Sequence, residues 1–299
     1  MKNLTHVVMV LFGATLYGTM SSFVKLSYAQ GYNAAEISFA QAALAALLLG
    51  ICTLVTREKY KERLTRKLLF SLLLTGSSIG LTNFLYYESV HYISASLSII
   101  ILMQFTWFSL LLEWILFKKR PSAVELFTVV LILIGTVIAG NIFSPEERSF
   151  SIKGAVLALL SSLTYASYIV ANGRIDTGAR WQSKSTLIMI GSACTIFLIN
   201  CKTILAGNHF DSEFLLWAVF FAVIGTTIPT ALFAASIPKI GAGVSSILMT
   251  VELPVAIICA SLVLKESIGP LQVVGIVIML GAIAAMNYYK SLKSENQKG

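Results

Sequence analysis

Ten apolar runs follow one another through the 299 residues, and the connections between them are too short to form a soluble domain. The first five are His6–Tyr28, Ile37–Thr56, Leu68–Tyr87, Ala95–Phe117 and Ser122–Gly140; the second five are Gly154–Asn172, Ser185–Cys201, Phe214–Ser236, Ala242–Leu264 and Pro270–Tyr289. An α-helix needs about 20 apolar residues to cross a hydrocarbon core of about 30 Å, and the runs match that length. With 57% hydrophobic and 12% charged residues and a mean hydropathy of +0.81, the chain has too little polar surface to cover a water-soluble fold. It reads as an all-α integral membrane protein of ten transmembrane helices. Lys2 before the first run imitates a secretory signal, but that run continues to Tyr28 without a small-residue cleavage site and counts as the first span.

The net charge of +8 raises the question of nucleic acid. The basic residues, however, fall in short connections with no aromatic-basic platform, and anionic lipid headgroups suit them better as partners. Only Lys25, Arg148, Lys153, Lys202 and Lys265 fall on one side of the membrane; the other 17 of the 22 lysines and arginines fall on the side of both termini. The bias of basic residues toward cytoplasmic loops places both termini in the cytoplasm and the protein in the cell (inner) membrane. Cys52, Cys194, Cys201 and Cys259 all lie within spans and form no CxxC pair, so they read as packing residues, with no disulfide framework and no metal site.

Asn141–Lys153 divides the chain near its midpoint, leaving five spans on each side: a first repeat over residues 1–148 and a second over 149–299. An odd number of spans turns the second half upside down, so two halves of one fold make inverted repeats within one transport unit. Shifting by 147 aligns Ile93–Lys118 with Ile240–Lys265, where a small-residue hinge, a long span and a short basic turn recur in order.

Of the 14 acidic residues, Glu252 alone falls in the middle third of a span. An ionised carboxylate there costs roughly 3 kcal/mol on insertion scales, so something must compensate it. Pro254 removes a backbone donor and frees the carbonyl of Thr250, which loosens the helix beside the acid. A packing role, with a protonated Glu252 bonding that carbonyl, competes with roles in proton coupling or solute binding. Trp107 lies mid-span opposite Pro254 under the same shift, with Gln104 one turn away. Tyr17 and Tyr165 correspond under a shift of 148, and Tyr168 shares the face of Tyr165. Paired aromatics around an acid suit a cationic or amphiphilic solute. Asn83 and Tyr87 share a face with Gly76 and Gly80, a GxxxG that by itself marks tight helix contact. Thr226, Thr227 and Pro229 mark a local break in the eighth span. The candidate solute-binding set is therefore Tyr17, Asn83, Tyr87, Gln104, Trp107, Tyr165, Tyr168, Thr226 and Glu252, with Glu252 also the proton-coupling candidate and Pro229 and Pro254 the hinges. Ordinary packing competes for each of them.

The chain resembles ten-helix members of the drug/metabolite transporter superfamily, EamA type. The resemblance is carried by LYG at 16–18, ISASLS at 93–98, IGAGVSS at 240–246, VELPV at 251–255, LKE at 264–266 and the closing spans around Gly135 and Gly281. Tyr17 stands where the family often has tryptophan, Gln41 where it often has arginine, and KKR at 118–120 where the first half often ends in glycine-glutamate. The resemblance implies secondary-active, alternating-access transport of a small metabolite. Export of an amino acid or related amine comes first; import of a purine, a quaternary amine or another metabolite follows.

An intramembrane enzyme fares poorly: His6, His91 and His209 sit at span ends or in loops, and no HExxH, P-loop or GxGxxG occurs. No cofactor is called for, and with no ATP site the energy comes from a gradient. The same lining residues would serve a channel or lipid scramblase, which saturable, counterflow-capable flux distinguishes from a carrier. The residues leave the oligomeric state open, and a monomer suffices. Cysteines introduced near Lys61 and Arg180 are expected to resist an impermeant thiol reagent in intact cells, while one near Glu147 reacts; the reverse pattern inverts the orientation.

Overall fold

The computed structural model describes residues 2–56, 65–93, 95–139, 151–175, 181–207, 211–265 and 268–296. Several sequence landmarks, namely Lys61, Ser94, Glu147, Arg180, His209 and Glu266, lie outside these residues. The described chain is helical throughout. α1 (Lys2–Tyr28), α2 (Ala34–Val55), α3 (Arg66–Tyr92), α4 (Ala95–Leu102), α5 (Phe105–Phe117) and α6 (Ala123–Ala139) make the first repeat. α7 (Ile152–Arg174), α8 (Trp181–Gly207), α9 (Ser212–Ala222), a π-helical turn (Val223–Thr227), α10 (Ile228–Ile240), α11 (Ala242–Met249), α12 (Glu252–Leu264) and α13 (Pro270–Asn296) make the second. Among the described residues, eight spans are long and apolar enough to cross a membrane, and the shorter apolar helices Ala123–Ile138 and Pro270–Met286 bring the number to ten.

Helix ends are set by local chemistry. Asn33 and Glu36 form a reciprocal capping box at the start of α2, with Glu36 N–H donating to Asn33 Oδ1 at 3.0 Å. Thr65, Ser151 and Asp211 cap α3, α7 and α9. Large aliphatic side chains such as Leu54, Leu198 and Leu262 face outward, as a lipid environment requires, while serines and threonines turn inward. Their hydroxyls mostly return to carbonyls three or four residues back, as Ser38 does to Ala34 and Thr136 to Ile132. Small polar residues thus let helices approach while most of their buried hydroxyls stay paired.

The two repeats interlock through contacts that recur with their roles exchanged. α1 packs on α10 as α7 packs on α3, and α1 on α12 as α7 on α5; α2 pairs with α8 and α6 with α13 across the junction. The broken spans are the clearest sign of repetition. In each, an eight-residue helix and a thirteen-residue helix are joined through two residues, and all four boundaries differ by the shift of 147. The backbone bonds at the two junctions also match. Gln104 N–H donates to Ile101, Thr106 to Met103 and Phe108 to Gln104, as Val251 donates to Leu248, Leu253 to Thr250 and Val255 to Val251. Lys118 and Lys265, again 147 apart, end these spans in the left-handed conformation at φ 57° and 58°.

These bonds correct two expectations. Each long span is two helices rather than one, and the Thr250 carbonyl is not left free by Pro254, because Leu253 N–H takes it at 3.1 Å. The first repeat breaks in the same way with tryptophan at the position of the proline, so proline is not the sole cause. The seventh span also exceeds its expected limits: α8 reaches from Trp181 to Gly207 and departs from helical geometry at Asn200. Its polar first turn is buried because Lys184 Nζ donates to the carbonyls of Asn172 at 2.8 Å and Ile175 at 3.0 Å, at the end of α7. The break expected in the eighth span is present as the π-helical turn, with Pro229 in the first turn of α10.

Gly76 and Gly80 bring α3 against α8. A Cβ on Gly76 would lie 2.0 Å from the Ile188 carbonyl oxygen, and one on Gly191 would lie 2.3 Å from that of Leu73. Gly281, in contrast, has nothing within 4 Å of such a Cβ. Gly76→Ala and Gly191→Ala are each expected to destabilise the folded protein by about 1–3 kcal/mol, the range for overpacking. Gly281→Ala should leave the thermal unfolding midpoint in detergent unchanged; equal effects at all three positions would contradict the α3–α8 packing.

Candidate functional site

Glu252 begins α12 immediately after the break in the ninth span and is 2% exposed. Its carboxylate is met from α7, where the Tyr165 hydroxyl donates to Oε1 at 2.6 Å. Among the described residues no lysine or arginine pairs with it. The break is what makes this meeting possible, because the acid occupies the first turn of a helix starting inside the bundle, and carboxylates are stabilised near helix N-termini. Gly18 of the LYG motif packs against the same turn: a Cβ there would lie 2.6 Å from the Glu252 carbonyl oxygen. Two segments that carried the family resemblance, at 16–18 and 251–255, are therefore in contact.

Aromatic rings gather around Tyr165. Tyr165 stands edge-on to Phe105 with centroids 4.8 Å apart and lies nearly parallel to Tyr168 at 6.3 Å. Tyr17 approaches Tyr165 to 6.3 Å and stacks on Phe233 at 5.7 Å. The tyrosines related by the shift of 148 thus meet at the junction of the repeats. Tyr17 is also within electrostatic range of Tyr168, Tyr87 and Glu252, with Thr230 beside its hydroxyl. Tyr87 extends the cluster to α2 by donating to Gln41 Oε1 at 3.3 Å, and Tyr168 accepts from Asn172 Nδ2 at 3.3 Å. Gln41 Nε2 is buried without a hydrogen-bond partner among the described residues.

The structure gathers Tyr17, Tyr87, Tyr165, Tyr168 and Glu252, and places the other candidates elsewhere. Trp107 donates its indole N–H to Gln104 Oε1 at 2.7 Å. Trp107 lines an apolar groove between α5 and the start of α6, together with Trp114 and Pro121. Asn83 is buried on α3 two turns beyond Gly76, and Thr226 is buried in the π-helical turn with its hydroxyl unpartnered among the described residues. Phe105 and Phe233 were not singled out from the sequence, and Gly18 and Gln41 entered only through the family resemblance, not as candidate site residues. Phe105 stands at the position of Glu252 under the shift of 147, so the repeat itself carried that signal.

At the end of the bundle that the basic-residue bias assigns to the cytoplasm, a second acid draws three segments together. Glu113 is 4% exposed; Oε1 accepts from Arg174 Nη2 at 3.2 Å and Oε2 from Lys119 Nζ at 3.1 Å. Gly243, at the start of α11, leaves room for it: a Cβ there would lie 3.4 Å from Glu113 Oε2. Arg174 also lies 4.3 Å over the Phe117 ring. The ends of α5 and α7 are thereby tied, with the start of α11 packed beside them.

Interlocked five-span repeats around a buried acid and its aromatic shell define a multi-pass membrane protein built like a solute carrier. Comparison with known proteins agrees: the model of the EamA-like transporter family matches residues 4–140 and again 152–288. The chain belongs to that family, whose members are transporters of small molecules. The uncharacterized transporter YcbK of Bacillus subtilis (strain 168) is 25% identical over 290 residues, covering 95% of this chain and 93% of that protein. The uncharacterized transporter sll1319 of Synechocystis sp. (strain ATCC 27184 / PCC 6803 / Kazusa) is 25% identical over 235 residues, covering 77% and 70%. A solved crystal structure matches with a TM-score of 0.70 at 12% identity, over 94% of this chain and 96% of its own, a likeness that shows the fold.

The bond from Tyr165 to Glu252 can be tested by a double-mutant cycle. Tyr165→Phe keeps the ring packing and should cost about 1–3 kcal/mol of unfolding free energy, as expected for leaving a buried acceptor unmet. Combined with Glu252→Gln, the loss should fall short of the sum of the single losses. Strict additivity would show that the two side chains are not coupled.

Proposed function

We propose that this protein exports a small solute bearing an ammonium group, an amino acid or related amine, across the cell membrane by alternating access, with both termini in the cytoplasm. The observation that carries the reading is a buried carboxylate that no lysine or arginine among the described residues neutralises, bonded by the Tyr165 hydroxyl, whose ring is grouped with those of Tyr17 and Tyr168. Aromatic faces attract cations, and a carboxylate in a medium of low polarity is stabilised by a cation or a proton. Glu252 thus serves either a solute ammonium or a transported proton, and exchanging one for the other couples the two fluxes. Gln41, joined to the cluster through Tyr87, has its Nε2 without a partner among the described residues and supplies a donor for the carboxylate of an amino acid. Outward transport rests on the family resemblance and the cytoplasmic termini on the basic-residue bias.

The breaks at 103–104 and 250–251 and the π-helical turn before Pro229 supply the flexing points. In the described arrangement the acid is buried from solvent, so access from either side needs one repeat to tilt against the other. The ties from Glu113 to Arg174 and Lys119 must part when the cytoplasmic side opens.

Glu252→Gln keeps the shape of the side chain and cannot titrate. In proteoliposomes, the variant should lose accumulation driven by a proton gradient while retaining exchange of solute across the membrane. If Glu252 instead holds the solute ammonium, affinity for the amine falls while analogues lacking the charge bind as before. Wild-type accumulation and pH dependence in Glu252→Gln would overturn both roles and leave Glu252 as a packing residue.

A further inference from the structure

A second cavity, of about 480 Å³, lies at the opposite end of the bundle from Glu113. Its walls come from the end of α1, the turn into α2, the last turns of α3 and the region of α8 around Asn200. Asn200 leaves helical geometry there (φ −116°, ψ 18°), and its side-chain amide donates back to the Ile196 carbonyl at 3.2 Å. The kink therefore falls in the cavity wall.

Three rings gather on one side of this space. His91 is edge-on to Tyr28 at 6.1 Å and to Tyr92 at 5.2 Å. Glu88, one turn before Tyr92, accepts from the Tyr92 hydroxyl at 3.2 Å. The protein's own ammonium already rests on this group: Lys153 Nζ lies 4.2 Å from the centroid of the Tyr92 ring and donates to its hydroxyl at 2.6 Å. Lys153 is exposed, so its ammonium reaches the hydroxyl end of the Tyr92 ring from the solvent side and is held by a flexible stem. Such a lysine occupies a cation site without being needed to build it.

We propose that this cavity is a peripheral binding site for a small organic ammonium, whose cationic head takes the place of Lys153 at Tyr92, beside Glu88. Carboxylate and π-face together favour an alkylated or primary ammonium over a bare metal ion, because methyl groups gain from the rings what a strongly hydrated ion loses. The site lies one layer from the central cluster. Tyr28, in its wall, donates to the Tyr87 carbonyl at 2.8 Å, and Tyr87 in turn reaches Gln41. A solute leaving the centre on that side would meet this site next. The inference takes its solute class from the proposed function but stands on separate residues.

The test is calorimetric titration of the purified full chain with tetramethylammonium chloride, sodium chloride holding ionic strength constant. All variants are built on Glu252→Gln, so the central carboxylate contributes nothing. Lys153→Ala, which removes the internal competitor, should tighten binding about fivefold, the factor that corresponds to about 1 kcal/mol for one hydrogen bond. Glu88→Gln should weaken binding by a similar factor. Unchanged or weaker affinity in Lys153→Ala, unchanged or tighter affinity in Glu88→Gln, or no saturable binding to the Lys153→Ala protein would each overturn the proposal. Failure of the central reading shows separately, as wild-type transport by Glu252→Gln.

Discussion

One hydrogen bond organises the interior: the Tyr165 hydroxyl on Glu252. A carboxylate at this depth is costly, and the surrounding architecture limits the cost. The ninth span is broken so that the acid starts a helix, Gly18 removes the side chain that would collide with that turn, and α7 brings a phenol instead of a cation. A lysine or arginine in the place of Tyr165 would neutralise the charge permanently. A phenol satisfies one oxygen and leaves the net charge open to a proton or a solute, which fits the site to a carrier better than to a static ion pair.

The repeat explains why this point is singular. Both long spans break alike, with matching backbone bonds and matching left-handed ends, yet the position equivalent to Glu252 is Phe105 and the position equivalent to Pro254 is Trp107. Symmetry supplies two broken spans and two tyrosines, Tyr17 and Tyr165, that meet at the junction. Divergence then places the acid in one repeat and a ring in the other. The same division appears at the ends of the bundle: Glu113 is tied to Arg174 and Lys119 at one, and Lys153 rests on Tyr92 at the other.

Most of the fold was legible in the sequence because hydrocarbon imposes length and polarity on every span. Ten runs and a shift of 147 sufficed to place the repeat, and Thr226, Thr227 and Pro229 marked the π-helical turn. The seventh span was drawn short because Gln182, Ser183 and Lys184 read as a connection; the carbonyls of Asn172 and Ile175 that let Lys184 be buried are tertiary partners invisible in a linear reading. Trp107 sits at the depth the sequence gives it but turns toward the groove by α6, since a helix break resets which residues share a face. Gln41 showed only as a departure from a family pattern, although a lone amide in a small-residue span was itself a sign. Tyr17, Tyr165 and Glu252 were legible as a group because polarity at mid-span and the repeat indicated them independently.

The central claim is that Glu252, buried in this arrangement, becomes accessible as the repeats move. Covalent labelling with the membrane-permeant reagent dicyclohexylcarbodiimide, which attacks protonated carboxyl groups in apolar surroundings, tests it directly when the site is read by mass spectrometry. Protein in native membranes should be modified at Glu252, and a solute that occupies the site should slow the modification. Labelling of Glu252 only after denaturation would contradict the account, showing an acid sealed into a packed interior that never opens.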